Sequence, residues 1–249
     1  MKYKDLIDIP QETICLSLEE CTERRSLFEK RWKDQNLKSF RYHIAKRPTE
    51  EYLSHRFSNF CGVEINEKFS NTHLGRWGCW LSHYDILLNA KNRGVKSVLL
   101  LEDDSYLNLE LLDKEINQVP YDWDVIYLGN SSCDVLAEYK DLPVITEYTF
   151  RDSSSRHNLG GWKKVRSWGT FAMIIRNTVF DHFINELKDY VFPGRSNFNP
   201  PTADGTYYFY LWKKLSFYFM DHLVLHDYSL KSEITCKQAK REDYIAFRG

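Results

Sequence analysis

The stretch SVLLLEDDSYLN, residues 97–108, decides the fold. Val98 to Leu101 is a continuous apolar run without the alternation of a half-exposed strand. Such a run fits a strand in a sheet buried on both faces. It stops abruptly at Glu102, Asp103 and Asp104. Three acids at the end of a buried strand either face water in an ordinary turn or hold something positively charged.

The flanking sequence supplies the rest of the sheet. ETICLSL (12–18) reads as a strand. CTERRSLFEKRWKDQ (21–35) follows as a helix, with Leu27, Phe28 and Trp32 at helical spacing and Thr22 as its N-cap. FRYHIA offers a short strand within the polar stretch 36–72. LGRWGCWLSHYDILLNAKNRG (74–94) opens with glycines, then places Trp80, Leu81, Tyr84, Leu87 and Leu88 on one helical side and stops at Gly94. After the acids come a short helix near 109–117 and the strand WDVIYLG (123–129). A long irregular region, 130–167, is followed by a strand at 168–177 and a helix at 178–190. A proline-stiffened loop, a helix at 204–215 and a closing strand before a polar tail complete the chain. Strands alternating with helices predict an α/β fold with a central, mostly parallel sheet flanked by helices, in a single domain over residues 1–249.

Composition narrows the function classes. The chain has 249 residues, 43% hydrophobic and 15% aromatic, enough for a substantial core. A net charge of −1 gives no global basic field for nucleic acid or an anionic membrane. The six cysteines show no CxxC pair and no Cys/His pattern of zinc-site spacing. The N-terminus MKYKDLIDIP lacks an apolar signal core, and no apolar run approaches the roughly 20 residues of a membrane span. These features lead us to expect a cytoplasmic protein without a transmembrane segment.

In open α/β sheets ligands bind at the carboxyl ends of the strands, where Glu102, Asp103 and Asp104 sit. Crowded carboxylates repel one another, and a hard divalent cation such as Mg²⁺ or Mn²⁺ relieves that repulsion. Such ions take one or two protein carboxylates and complete their shell with phosphate oxygens and water, which suggests a nucleotide-linked diphosphate.

Three motifs in order resemble glycosyltransferase family 25, which contains lipooligosaccharide and collagen galactosyltransferases. LEECTERR (Leu18 to Arg25) matches the family's first run, GRWGCWLSH (Gly75 to His83) its second, and LEDD (Leu101 to Asp104) its third. DVIYLG, the strand at 169–175, Asp204 and SEI (232–234) follow in family order. Arg76 stands where the family usually has Glu, RYHIAKRP matches its segment only loosely, and LHDYS replaces a more usual Gln-containing segment.

The resemblance implies a GT-A-type fold and a metal-dependent, inverting transfer of a hexose, galactose or glucose, from a UDP-sugar to a hydroxyl of a glycan or glycoprotein acceptor. It implies Mn²⁺ or Mg²⁺ at Asp104, with His226 as a second ligand, and Glu102 and Asp103 facing the nucleotide. Arg24, Arg25 and His83 are then donor-binding residues, and Asp204 is the base that takes the acceptor's proton. GGWKK (Gly160 to Lys164) and Arg166 would form a basic lid. Each has a plainer reading: a solvated turn acid, an exposed helix Arg, a satisfied half-buried His, a helix cap, an exposed basic loop. Two rivals stay open. One is a catalytically silent GT-A-fold module that binds sugar or protein. The other is a nucleotidyltransferase, which would need a glycine-rich loop that LEECTERR lacks.

Overall fold

Strand β3 (Ser97–Glu102) shows why its sequence does not alternate. Val98 and Leu100 pack into a core with Trp77, Trp80, Leu87 and Phe180. Leu99 and Leu101 point to the other face, into a second core with Leu6, Phe28 and Trp32. Successive strand residues face opposite sides, so a strand between two cores must be apolar throughout. A large aliphatic or aromatic side chain fully buried in this way contributes about 1.5–3 kcal/mol.

The computed structural model describes residues 1–61, 70–129, 163–164, 169–190, 203, 206–207, 211, 214–219, 222–227 and 230. Ahead of β3 run α1 (Tyr3–Asp8), β1 (Glu12–Leu18), α2 (Thr22–Lys33), β2 (Arg41–Ala45), α3 (Glu50–Cys61) and α4 (Asn71–Asn92). After it come β4 (Ser105–Leu107), β5 (Val125–Tyr127), β6 (Lys163–Lys164), β7 (Ala172–Arg176), α5 (Asn177–Tyr190), β8 (Phe217–Phe219) and β9 (Val224–His226). Seven strands form one sheet in the order β2-β1-β3-β7-β5-β8-β6, and β4 and β9 form a separate pair. The α/β class is as expected.

The sheet is mixed rather than mostly parallel. β1 pairs in parallel with β2 and β3, and β5 with β8. β7 runs antiparallel to both β3 and β5, and β6 antiparallel to β8. Ala172, Met173, Ile174 and Ile175 of β7 are all fully buried. A doubly buried strand has the same apolar composition in either direction, so the sequence conceals its reversal.

Other boundaries also differ from expectation. Cys21, not Thr22, is the N-cap of α2, and it makes no side-chain cap bond. Helix α4 starts before its glycines: the Ser70 hydroxyl accepts from the His73 amide at 3.2 Å, and Gly75 and Gly78 lie inside the helix. Gly94 does end α4. Its φ of 70° is left-handed, its amide donates to Lys91 O, and the Val95 amide donates to Ala90 O. Those two bonds satisfy carbonyls that the helix end would leave open. Residues 109–113 form turns instead of a helix. No helix among the described residues is long and apolar enough to cross a membrane.

Candidate functional site

The alternation of β3 continues into its acids. Glu102 shares a face with Val98 and Leu100, the face covered by α4, while Asp103 follows Leu99 and Leu101 toward α2. The three carboxylates therefore enter different surroundings.

Asp103 is held from β1 and α2. The Asp103 amide donates to Leu16 O at 3.1 Å, which sets Ser17 beside it. The Ser17 hydroxyl donates to Asp103 Oδ2 at 2.6 Å. The Arg24 guanidinium, from the first turn of α2, contacts Asp103 and also lies 2.7 Å from Asp104 Oδ2. Burial pushes the Asp103 carboxyl up to about 6, against the pull of Arg24 and Ser17. Arg25 points elsewhere. It donates to Ser17 Oγ at 3.1 Å, to the carbonyl of Glu19 at 2.9 Å and to that of Leu18, closing the end of β1.

Asp104 is reached by the second sheet. Gly129 follows β5 where β9 crosses, with the Val224 amide donating to Leu128 O at 2.8 Å. A Cβ on Gly129 would lie 2.0 Å from Val224 O, so only glycine permits that crossing. β9 then pairs with β4, setting His226 opposite Ser105, and the Asp227 amide donates to Asp104 O at 2.7 Å. His226 Nε2 lies 3.4 Å from Asp104 Oδ2. Burial works against charge on both, yet the contact holds Asp104 below the usual carboxylate range and His226 above the usual imidazole range. Arg31 anchors the same corner, donating to Asp227 Oδ2 at 2.7 Å.

The residues expected to hold a metal, Asp104 and His226, are thus brought together. Asp104 Oδ1 is buried without a hydrogen-bond partner among the described residues. Two neighbouring ligands of an octahedral ion at about 2.1 Å stand about 3 Å apart, near the 3.4 Å between His226 Nε2 and the other carboxylate oxygen, Asp104 Oδ2. The pair fits a hard divalent cation, with Arg24 supplying positive charge beside it.

Glu102 faces inward. Its Oε1 accepts from Thr170 Oγ1 at 3.1 Å, and burial, reinforced by Asp104, pushes its carboxyl up to about 7. Cys79 and His83 lie opposite on α4, and the three residues place ligand atoms within 4.8 Å of one another. His83 is fully buried rather than open to a donor. Its ring packs against Phe183 and Tyr207 at about 6 Å. Cys79 escaped the sequence reading, although GCWLSH puts it one helical turn before His83. Ser17 and Thr170 were missed too. Ser17 follows from the β1–β3 register, but nothing in the local sequence marks Thr170. Asp204, Gly160 to Trp162 and Arg166 lie outside the described residues.

A sequence profile described as glycosyltransferase family 25 (LPS biosynthesis protein) matches residues 11–195, spanning β1, the acids, β7 and all of α5. The chain belongs to glycosyltransferase family 25. Within the family it is 35% identical over 105 residues to procollagen galactosyltransferase 1 of Danio rerio, a match covering 37% of this chain and 17% of that protein. It is 29% identical over 120 residues to inactive glycosyltransferase 25 family member 3 of Homo sapiens, covering 42% and 20%. The chain thus matches a fifth or less of the length of these relatives. Among solved structures, a glycosyltransferase involved in glycosylation of the major capsid of PBCV-1 covers 95% of this chain and 98% of its own, at 10% identity and a TM-score of 0.41. A mixed sheet flanked by helices agrees with the GT-A-like α/β architecture expected of the family.

Proposed function

We propose that residues 1–249 act as one transferase domain that moves a hexose, galactose or glucose, from a UDP-sugar to a hydroxyl of a glycan or glycoprotein acceptor, with inversion. One observation carries this reading. In a family 25 chain, Asp104 at the end of β3 presents a buried oxygen without a partner among the described residues, beside His226 and Arg24. Asp104 and His226 are the residues to hold Mn²⁺ or Mg²⁺. The bound ion would supply positive charge opposite the diphosphate of the leaving UDP.

The chain's own groups do the remainder. Arg24 already bridges Asp103 and Asp104, so its guanidinium is placed to pass from the carboxylates to an arriving diphosphate. Asp103, fixed by Ser17, orients the nucleotide. Arg25 keeps the end of β1 in place through its carbonyl contacts and so positions Arg24 rather than the donor. Asp204 accepts the acceptor's hydroxyl proton as that oxygen bonds to the anomeric carbon and the bond from that carbon to the UDP oxygen breaks. His83, being fully buried, makes no direct donor contact in this reading.

A second reading has one observation in its favour. Arg24 stands where a bound cation would neutralise the acids, so the fold holds together without a metal and would serve a silent binding module. Calorimetry with Mn²⁺ and a panel of UDP-sugars, paired with product assays, decides between them. The enzyme reading expects Mn²⁺-dependent donor binding that disappears in Asp104→Ala, weakens in His226→Ala, and accompanies turnover. Donor binding without turnover on any acceptor supports the silent module. Donor binding unchanged in Asp104→Ala removes the metal assignment.

A further inference from the structure

We propose that Cys79, His83 and Glu102 form a second cation site, one for a thiophilic divalent ion of the zinc class, which fastens α4 to the acidic end of β3. Cys79 and His83 are four residues apart on α4, so their side chains stack on one helix face. Glu102 ends β3 on the sheet face that α4 covers. Their ligand atoms lie within 4.8 Å of one another. Sulfur and nitrogen ligands of a tetrahedral zinc ion stand about 3.5 Å apart. A shift of about an ångström in the Cys79 and Glu102 ligand atoms would bring the three to that spacing.

A second observation points to a ligand independently. His83 is fully buried, and neither ring nitrogen has a hydrogen-bond partner among the described residues. Native interiors rarely leave such atoms unanswered. The hydroxyl of Tyr207 is a further buried polar atom in the same condition, on a ring 6.0 Å from His83. Burial, with His43 adding to it, pushes the His83 imidazole down to about 3, so the ring is neutral and in its ligating form. Thr170 donates to Glu102 Oε1, the kind of outer contact that orients a metal-bound carboxylate.

The donor set fixes the class of ion. Thiolate, imidazole and carboxylate together favour zinc, whereas the carboxylate and imidazole at Asp104 and His226 suit Mn²⁺ or Mg²⁺. The inner site joins two residues of α4, the half-buried Cys79 and the buried His83, to the half-buried Glu102 of β3, so its role is to lock α4 against β3 and thereby set the direction in which Asp103 and Asp104 leave the strand. It does not depend on the transfer reaction. A silent module would need it equally.

The test uses the full chain, stripped with a chelator, reloaded with Zn²⁺ and desalted, with metal measured by mass spectrometry. We expect one zinc per chain in the wild type and in Asp104→Ala, and at least about tenfold weaker retention in Cys79→Ser and Glu102→Gln. Cys79→Ser should lose zinc while still binding Mn²⁺, at an affinity lowered only through the position of Asp104, which separates the two sites. Cobalt substitution of the wild type should give a thiolate-to-metal charge-transfer band, a readout that needs no variant to fold. A wild type without that band overturns the proposal. So does zinc held equally well by Cys79→Ser.

Discussion

Arg24 reaches from α2 to within 2.7 Å of Asp104 Oδ2 while also contacting Asp103, so one guanidinium joins two neighbouring carboxylates at the end of β3. All three side chains are largely buried, at 13%, 5% and 12% exposure. Without the guanidinium, two carboxylates would remain close together with little water to screen them.

Arg24→Ala should therefore destabilise the metal-free protein by about 3–5 kcal/mol, the usual cost of removing one partner from a buried ion pair. Mn²⁺ should recover more stability in the variant than in the wild type, because the acids then have no other cation. Urea denaturation of both proteins, with chelator and with Mn²⁺, measures the two effects. Equal stability of the chelated proteins would show that Arg24 does not balance the acids.

Much of this arrangement was legible in the sequence, for physical reasons that differ by element. The apolar run of β3 and the periodic Trp80, Leu81, Tyr84 and Leu87 of α4 report burial, which composition encodes directly. The acids stood out because charge at the end of such a run is conspicuous. What stayed hidden depends on non-local pairing. β4 is three residues long with the middle one exposed, and only pairing with β9 gives it a structure. The reversal of β7 leaves no trace in residues buried on both faces. Cys79 and Glu102 belong to separate elements, and nothing in either segment indicates that they meet.

Gly129 and Gly94 should separate a site-building glycine from a merely local one. An alanine at 129 drives its Cβ against Val224 O and the Phe171 ring, so β9 must shift. Gly129→Ala should cost about 1–3 kcal/mol or more and weaken Mn²⁺ binding, because His226 moves with β9. Gly94→Ala meets no atom within 4 Å and is strained only by its left-handed φ. It should cost about 1–2 kcal/mol and leave Mn²⁺ affinity unchanged. Thermal melts and Mn²⁺ titrations of both variants make the comparison.

Asp204→Asn should lower kcat by about 10²–10⁴-fold, the usual contribution of a general base, while Kd for the UDP-sugar stays at its wild-type value. A helix cap would give the opposite pattern: Asn caps as well as Asp, so turnover and stability would both be preserved. Steady-state kinetics combined with donor calorimetry distinguishes the two roles.

Tyr218 gives a pH signature far from the acids. Its phenol is buried in the sheet and donates to Asp122 Oδ1 at 2.9 Å. Burial first, and the Asp122 contact second, push the phenol up to about 12. The folded state therefore holds this proton more tightly than the unfolded chain, whose tyrosines titrate near about 10. The resulting stability is fully present below about pH 10 and is lost as pH rises through about 12. Tyr218→Phe should cost about 1 kcal/mol at neutral pH, for the lost hydrogen bond. That deficit should shrink as pH rises above about 10, because only the wild type has this proton to lose on unfolding. Denaturation curves of both proteins across the alkaline range test it. A deficit that stays constant with pH would mean that Tyr218 ionises as readily in the fold as in the unfolded chain.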